Sequence, residues 1–224
     1  MPGDDPTDFA DGFSSPACLM HEVDPVYMGL SPEGNSNNDV APWRQGERKR
    51  LINARMDISF ARRDAFTADI AAKLDGIIGD ATGKSVSFFW PFKGEPDLRQ
   101  WMAVVTAKGG TTLLPVVIAK GQPLVFRSWK TGEKLEPGVW NIPVPTNGTE
   151  CVPDIVIAPV VGFDTGCFRL GYGGGFFDRT LARFRHAPLV IGVGYEQQAI
   201  ASIRPQPHDI PMDIVVTEHR VRYR

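Results

Sequence analysis

Cysteine is scarce: 224 residues hold only Cys18, Cys151 and Cys167. They are odd in number, lie far apart and form no C-x-x-C, which excludes a disulfide scaffold or a zinc ribbon and predicts a reduced, cytoplasmic protein. No apolar run reaches the ~18 residues a membrane helix needs. The N-terminus carries acids where a signal peptide would place a basic segment before an apolar one. A net charge of −2 gives no electrostatic reason to expect nucleic acid. No Ser/His/Asp or Cys/His constellation demands side-chain nucleophilic catalysis. The first 43 residues lack Lys and Arg altogether, yet they contain eight acids from Asp4 to Asp39.

That acidic stretch is also rich in Pro, Gly, Ser and Asn, a composition that buries little surface. Residues 1–40 are therefore expected to form a poorly ordered or surface-docked extension. Cys18, His21, Glu22 and Asp24 can be drawn as metal ligands, but no second cluster pairs with them at zinc spacing. The favoured expectation is a clip in which Leu19, Met20, Val23, Tyr27 and Met28 dock on the domain. Residues 41–224 then make one domain of ordinary size.

Within it, Asp39 and Pro42 signal a helix start, and Arg44, Arg48, Arg50 and Arg55 follow beside Leu51 and Ile52. Ser59 is suited to cap a second helix, with Phe66, Ile70, Leu74 and Ile77 on its buried face and Gly79 at its end. Ser85–Trp90 is expected to be a buried strand, and Leu98, Trp101, Met102 and Val105 mark a third helix. Thr112–Ile118 and Pro123–Trp129 predict a hairpin across Lys120-Gly121-Gln122. Val139–Pro145 reads as an extended, proline-stiffened loop. Asp154–Val161 and Pro188–Gly194 are continuous apolar strands of the kind covered on both faces. Helices are expected over Phe176–Arg185 and Glu196–Ile203, and a last strand ends at Thr217. Alternating helices and buried strands predict a single three-layer αβα domain with a mostly parallel, mixed sheet.

One stretch stands apart: Arg169-Leu-Gly-Tyr-Gly-Gly-Gly-Phe-Phe-Asp-Arg179, with glycines at 171, 173, 174 and 175. Glycine admits φ > 0 and lets a ligand approach backbone N–H groups without a Cβ in the way. Arg169 can fork onto phosphate oxygens, and Asp178 can hold a hydrated Mg²⁺ bridging them. The physical expectation is a polyphosphate cradle, against the plainer alternative of a glycine-rich strand-to-helix turn. It is neither a P-loop, since Phe176-Phe177 stand where Lys and Ser/Thr would, nor a G-x-G-x-x-G fingerprint.

Preceded by Pro153-Asp-Ile-Val-Ile-Ala-Pro-Val-Val-Gly-Phe-Asp164, this stretch resembles the 5-formyltetrahydrofolate cyclo-ligases (5,10-methenyltetrahydrofolate synthetases). The resemblance runs from about Trp43 to the C-terminus. It implies ATP- and Mg²⁺-dependent closure of 5-formyltetrahydrofolate, with or without a polyglutamate tail, to 5,10-methenyltetrahydrofolate. ATP would be held by Arg44, Arg50, Arg169, Leu170, Gly171, Tyr172, Gly173, Gly174, Gly175, Phe176 and Phe177. Asp178 and Asp209 would place Mg²⁺, while Trp90, Glu95 and Trp140 would hold the folate. Arg169 and Glu95 are the foremost catalytic candidates. Read from residues alone, Glu95 could equally be a helix-start acid, Trp140 a core anchor and His208 a structural histidine. In the family's H-D-x-P-x-D segment, Asp213 would hold the loop.

Two departures matter. Val40 stands where the family usually has a lysine, and Phe176 and Phe177 stand where it has tyrosine at one or both positions. They keep open an alternative in which a paralogue binds nucleotide or folate without turnover. The charge balance and the lack of a long apolar run predict no nucleic-acid or membrane partner, and a monomer or weak homodimer is expected.

Overall fold

A computed structural model describes residues 39–224. The acidic extension, with its Cys18/His21 patch and its clip, lies outside the described residues.

The chain opens with two helices, α1 (Val40–Met56) and α2 (Phe60–Ile78). Asp39 precedes α1 without capping it by a side-chain hydrogen bond; its carboxylate pairs instead with Arg204 at 3.0 Å. Ser59 does cap α2, accepting from the Arg62 N–H, and Gly79 ends it at φ 61°. Ile70, Leu74 and Ile78 form the fully buried stripe, and Phe66 and Ile77 lie on its flanks.

The remaining elements alternate as expected: β1 (Ser85–Ser87), α3 (Arg99–Ala107), β2 (Thr111–Val117), β3 (Leu124–Ser128), β4 (Leu135–Pro137), β5 (Pro143–Pro145), β6 (Ile155–Pro159), β7 (Gly162–Phe163), β8 (Arg169–Leu170), α4 (Phe176–Leu181), β9 (Leu189–Val193), β10 (Ile214–Val216) and β11 (Val221–Tyr223). A seven-stranded sheet runs in the order β11-β10-β9-β6-β1-β2-β3. Its inner pairings are parallel, and β3 and β11 join antiparallel at the two edges. The mixed sheet follows from connection length, because the short turn after β2 can only return antiparallel, whereas β1-α3-β2 crosses over to run parallel.

Side-chain alternation shows that both faces are covered. Ile155 and Ile157 of β6, Ile191 and Val193 of β9, and Ile214 and Val216 of β10 pack with α2 and α3. Val190 and Val215, one residue out of phase, pack on the opposite face with Val160, Phe163, Met212 and Leu181 of α4. Each apolar residue thus enters one of two cores, the reason these strands read as unbroken apolar runs. Between α1 and the chain beyond β6, Leu51, Val161, Leu170 and Ile203 make a smaller core that seats α1 against the β7–β8 ribbon.

Several expected boundaries are corrected. The first strand ends at Ser87, short of Trp90, with Phe88 N–H making a last bond to the Leu113 carbonyl at 2.8 Å. The helix expected over Phe176–Arg185 stops at Leu181, where tighter turns bring Phe184 to stack on Phe126 at 6.3 Å. Glu196–Ile203 is only a 3₁₀ turn over Glu196–Gln198. Val139–Pro145 is a 3₁₀ turn followed by β5, which pairs with β4.

Candidate functional site

A cleft opens beyond the carboxyl ends of β1 and β6, where open α/β sheets gather ligands. The glycine-rich loop forms one wall, continuing from β8 toward α4. Gly173 and Gly175 adopt φ 104° and 59°, conformations that L side chains rarely take. A Cβ at Gly174 would lie 2.7 Å from the Phe176 ring, so that position too needs glycine. Arg48 Nε donates to the Gly171 carbonyl at 2.8 Å, and Arg179 donates to that of Gly174, so the loop is tied down through its carbonyls. None of the N–H groups from Gly171 to Gly175 meets an acceptor among the described residues. Consecutive uncommitted amides on a cleft wall form a site for anionic oxygen.

Arginines border the same wall, each in a different state. Arg44 is buried and ion-paired with Asp209, and its Nε donates to the Ile203 carbonyl at 3.0 Å. Burial works against the Asp209 carboxylate, but Arg44 and the Gln206 N–H outweigh it and hold the group below its usual range. Arg169 is almost fully buried, with Nη2 2.9 Å from Asp178 Oδ1 yet off hydrogen-bonding angle, leaving a buried donor without a proper acceptor. Burial pulls its pKa down, opposed by Asp178 and Asp209. Its guanidinium also lies over the Phe177 ring, 5.4 Å from the centroid. Arg48 has no acid partner among the described residues. Burial, reinforced by the neighbouring charge of Arg44, pushes it down to about 10. A partly desolvated guanidinium beside another is a place that favours an anion.

Arg50 does not belong to this group. It lies on the outer face of α1 in an exposed pair with Glu47 at 2.7 Å and does not line the cleft. Arg48 lines it instead, and helical spacing explains why. Positions 44, 48, 51 and 55 share one face, whereas position 50 lies roughly 200° round the helix from 48. Periodicity applied to charges as well as to apolar residues would have singled out Arg48.

Asp178 and Asp209 both line the cleft. Asp178 Oδ1 serves Arg169 and accepts from the Ile210 N–H at 3.1 Å, while Oδ2 has no partner among the described residues. Both oxygens of Asp209 are occupied, by Arg44 and by the Gln206 N–H. Among the described residues no cluster of three or more His, Cys, Asp or Glu is arranged to hold a metal. This donor set does not suit a resident structural ion. One open carboxylate oxygen does suit Mg²⁺ that arrives with phosphate oxygens and keeps its waters. His208 is largely exposed, 3.9 Å from Asp209 Oδ1.

The other end of the cleft is aromatic. Trp90 lies edge-on to Trp129 at 5.7 Å, with the Arg99 guanidinium over its ring. Trp140 is no core anchor: it is 37% exposed, sits at φ 57° and meets Phe176 edge-on at 6.1 Å across the cleft mouth. Glu95 is no helix-start acid. That role falls to Asp97, which accepts from the Arg99 N–H at 3.1 Å. Glu95 is buried instead, with Oε2 accepting from Phe92 N–H at 3.0 Å and Oε1 from the Tyr172 hydroxyl at 2.8 Å. Arg55 Nη1 stands 3.7 Å from the same Oε1. Burial pushes Glu95 up to about 7, although Arg55, Tyr172 and the Phe92 N–H all pull it back.

A model of the 5-formyltetrahydrofolate cyclo-ligase family matches residues 40–218. Over 181 residues the chain is 29% identical to the 5-formyltetrahydrofolate cyclo-ligase of Mycolicibacterium smegmatis, covering 77% of this chain and 92% of that protein. It is 30% identical over 145 residues to the enzyme of the same name from Escherichia coli, covering 61% and 79%. Among solved structures, the NMR structure of the Aquifex aeolicus 5,10-methenyltetrahydrofolate synthetase superposes with a TM-score of 0.71 at 28% identity, covering 80% of this chain and 92% of that one.

Proposed function

This chain belongs to the 5-formyltetrahydrofolate cyclo-ligase family, and we propose that it closes 5-formyltetrahydrofolate to 5,10-methenyltetrahydrofolate with conversion of ATP to ADP and phosphate. The observation that carries this reading is the pairing, in one cleft, of the acceptor-free amides of Gly171–Gly175 with an aromatic end floored by Glu95. A polyphosphate fits the first and a pterin fits the second. Chemistry of this kind needs alignment and charge neutralisation more than a protein nucleophile.

In the proposed course the formyl oxygen attacks the γ-phosphorus as the bond to the ADP oxygen breaks. N10 then adds to the activated formyl carbon and gives up its proton to water, and the C–O bond breaks as phosphate leaves. Arg44, Arg48 and Arg169 neutralise the transferring charge, the loop amides orient the triphosphate, and Phe177 backs the Arg169 guanidinium. Asp178 would hold Mg²⁺, with Asp209 joining it if Arg44 turns onto phosphate. Such an ion would offset charge on the phosphate oxygens. Glu95 accepts from the adjacent N–H groups of the pterin while Trp90 and Trp140 wall the ring. Val40 removes one family cation from the start of α1, and Arg48 one turn beyond Arg44 supplies a charge in the same cleft.

The test is direct: purified protein with 5-formyltetrahydrofolate and MgATP should develop methenyl absorbance with matching, folate-dependent release of ADP. Val40 and the missing phenol at Phe176 and Phe177 favour one rival, a binding module without turnover. Tight MgATP binding with no absorbance change would establish that rival instead.

A further inference from the structure

Behind Glu95 lies an arginine that the proposed chemistry does not touch directly. Arg55 of α1 is 0% exposed. Its Nε donates to the Lys93 carbonyl at 2.9 Å and its Nη1 to that of Val160 at 3.2 Å, so the guanidinium is fixed by the backbone on two sides. Its Nη2 donates to the Tyr172 hydroxyl, which in turn donates to Glu95 Oε1 at 2.8 Å. The Tyr172 ring meets Phe92 edge-on at 5.8 Å, with the Arg55 guanidinium 5.8 Å from its own centroid.

Tyr172 thus belongs to two places at once. Its backbone is part of the acceptor-free loop between Gly171 and Gly173, and its side chain ends on the acid at the other end of the cleft. We infer that Tyr172 is a positioning residue: its hydroxyl orients the Glu95 carboxylate toward the folate and ties that acid to the loop that grips the nucleotide. The inference rests on the cyclo-ligase reading, in which Glu95 meets the pterin, and extends it to a residue that reaches the substrate only through another side chain.

The electrostatics agree. Glu95 faces Arg55 from α1 and Tyr172 from the glycine-rich loop, with Lys93 the next cation along its own loop and Arg63 of α2 reaching the same turn at Gly94. Burial has moved Glu95 to about 7, and the Tyr172 hydrogen bond is among the interactions resisting that rise. Removing the hydroxyl should therefore move the acid further up. A carboxylate accepts two N–H donors from a pterin, whereas a carboxylic acid does so poorly. The variant should lose folate most at acid pH and recover it as the pH rises.

Tyr172→Phe keeps the ring and removes the oxygen. KM for 5-formyltetrahydrofolate, measured at saturating MgATP from pH 6 to 9, should rise about tenfold at the acid end and shrink toward the wild-type value at the alkaline end. MgATP affinity and kcat should change less. An unchanged KM, or one raised equally at every pH, would overturn the inference, the first outcome leaving Tyr172 a packing role alone. If Tyr172→Phe does not fold, Glu95→Gln decides: its folate affinity should be weaker and flat with pH, and retention of the wild-type profile would sink the idea. Should the wild type show no turnover, the cyclo-ligase reading fails by itself. The same profiles, read as folate Kd by tryptophan quenching, still judge Tyr172.

Discussion

The two ends of the cleft handle charge in opposite ways. At the glycine-rich end, Arg44 and Arg169 each face an acid in the cleft wall, Asp209 and Asp178, and Arg48 faces none. An incoming phosphate can draw each guanidinium off its carboxylate, so the arginine exchanges one anionic partner for another. At the aromatic end, Glu95 and Tyr172 line the cleft while Arg55 is sealed behind them, and backbone groups complete their hydrogen bonding. Nothing there can exchange without leaving a buried charge unpaired. The charges proposed to meet phosphate have partners it can displace, whereas Glu95, proposed to meet the pterin, is held by partners that stay in place.

This contrast can be broken or sharpened by substitution. The largest effect is expected from Asp178→Asn, which takes away the open carboxylate oxygen and the countercharge of Arg169. Turnover should fall about a thousandfold or more. The Asn oxygen can still accept from Ile210 N–H and Asp209 still faces Arg169, so the protein should stay folded, with a lowered melting temperature because a buried cation loses one countercharge. Arg55→Met tests the sealed end. It leaves Glu95 and Tyr172 buried without their cation and should cost about 3–5 kcal/mol in a denaturant titration. If the loss is small, the cluster is not the rigid element described above. Next comes Arg48→Gln, which should weaken MgATP about ten- to hundredfold by calorimetry. Arg50→Gln, on the outer face of the same helix, should stay within about twofold. Equal effects would erase the distinction between the two arginines. The smallest change is expected from deleting residues 1–38, which precede every cleft residue. Turnover and melting temperature should stay close to those of the full chain, within about twofold in rate.

Much of this cleft was legible in the chain. The loop of residues 169–178, the strand feeding it and the aromatic exit of β1 all lie where their local patterns placed them. Helix α1 was legible as an element but misread as a surface: Arg50 was chosen by resemblance, although the 44–48–51–55 spacing marks a different face. Edge elements were less visible. β4, β5 and β11 are three residues each, too short to show a period. The Tyr172–Glu95 hydrogen bond joins residues 77 apart, and nothing in either neighbourhood signals the other.

What the chain specified alone was local. Glycines at 173 and 175 permit backbone angles closed to other residues, and apolar runs with no polar phase can lie only in a sheet covered on both faces. The fold alone decided which cation meets which anion. Arg44 was free to face phosphate, solvent or acid until the return of residues 203–209 brought Asp209 against it. Read from residues alone, Glu95 could be a helix-start acid; burial in the fold moved its proton affinity toward neutrality against the pull of Arg55. Coulomb and desolvation energies depend on distances through space, and only the folded chain sets those distances.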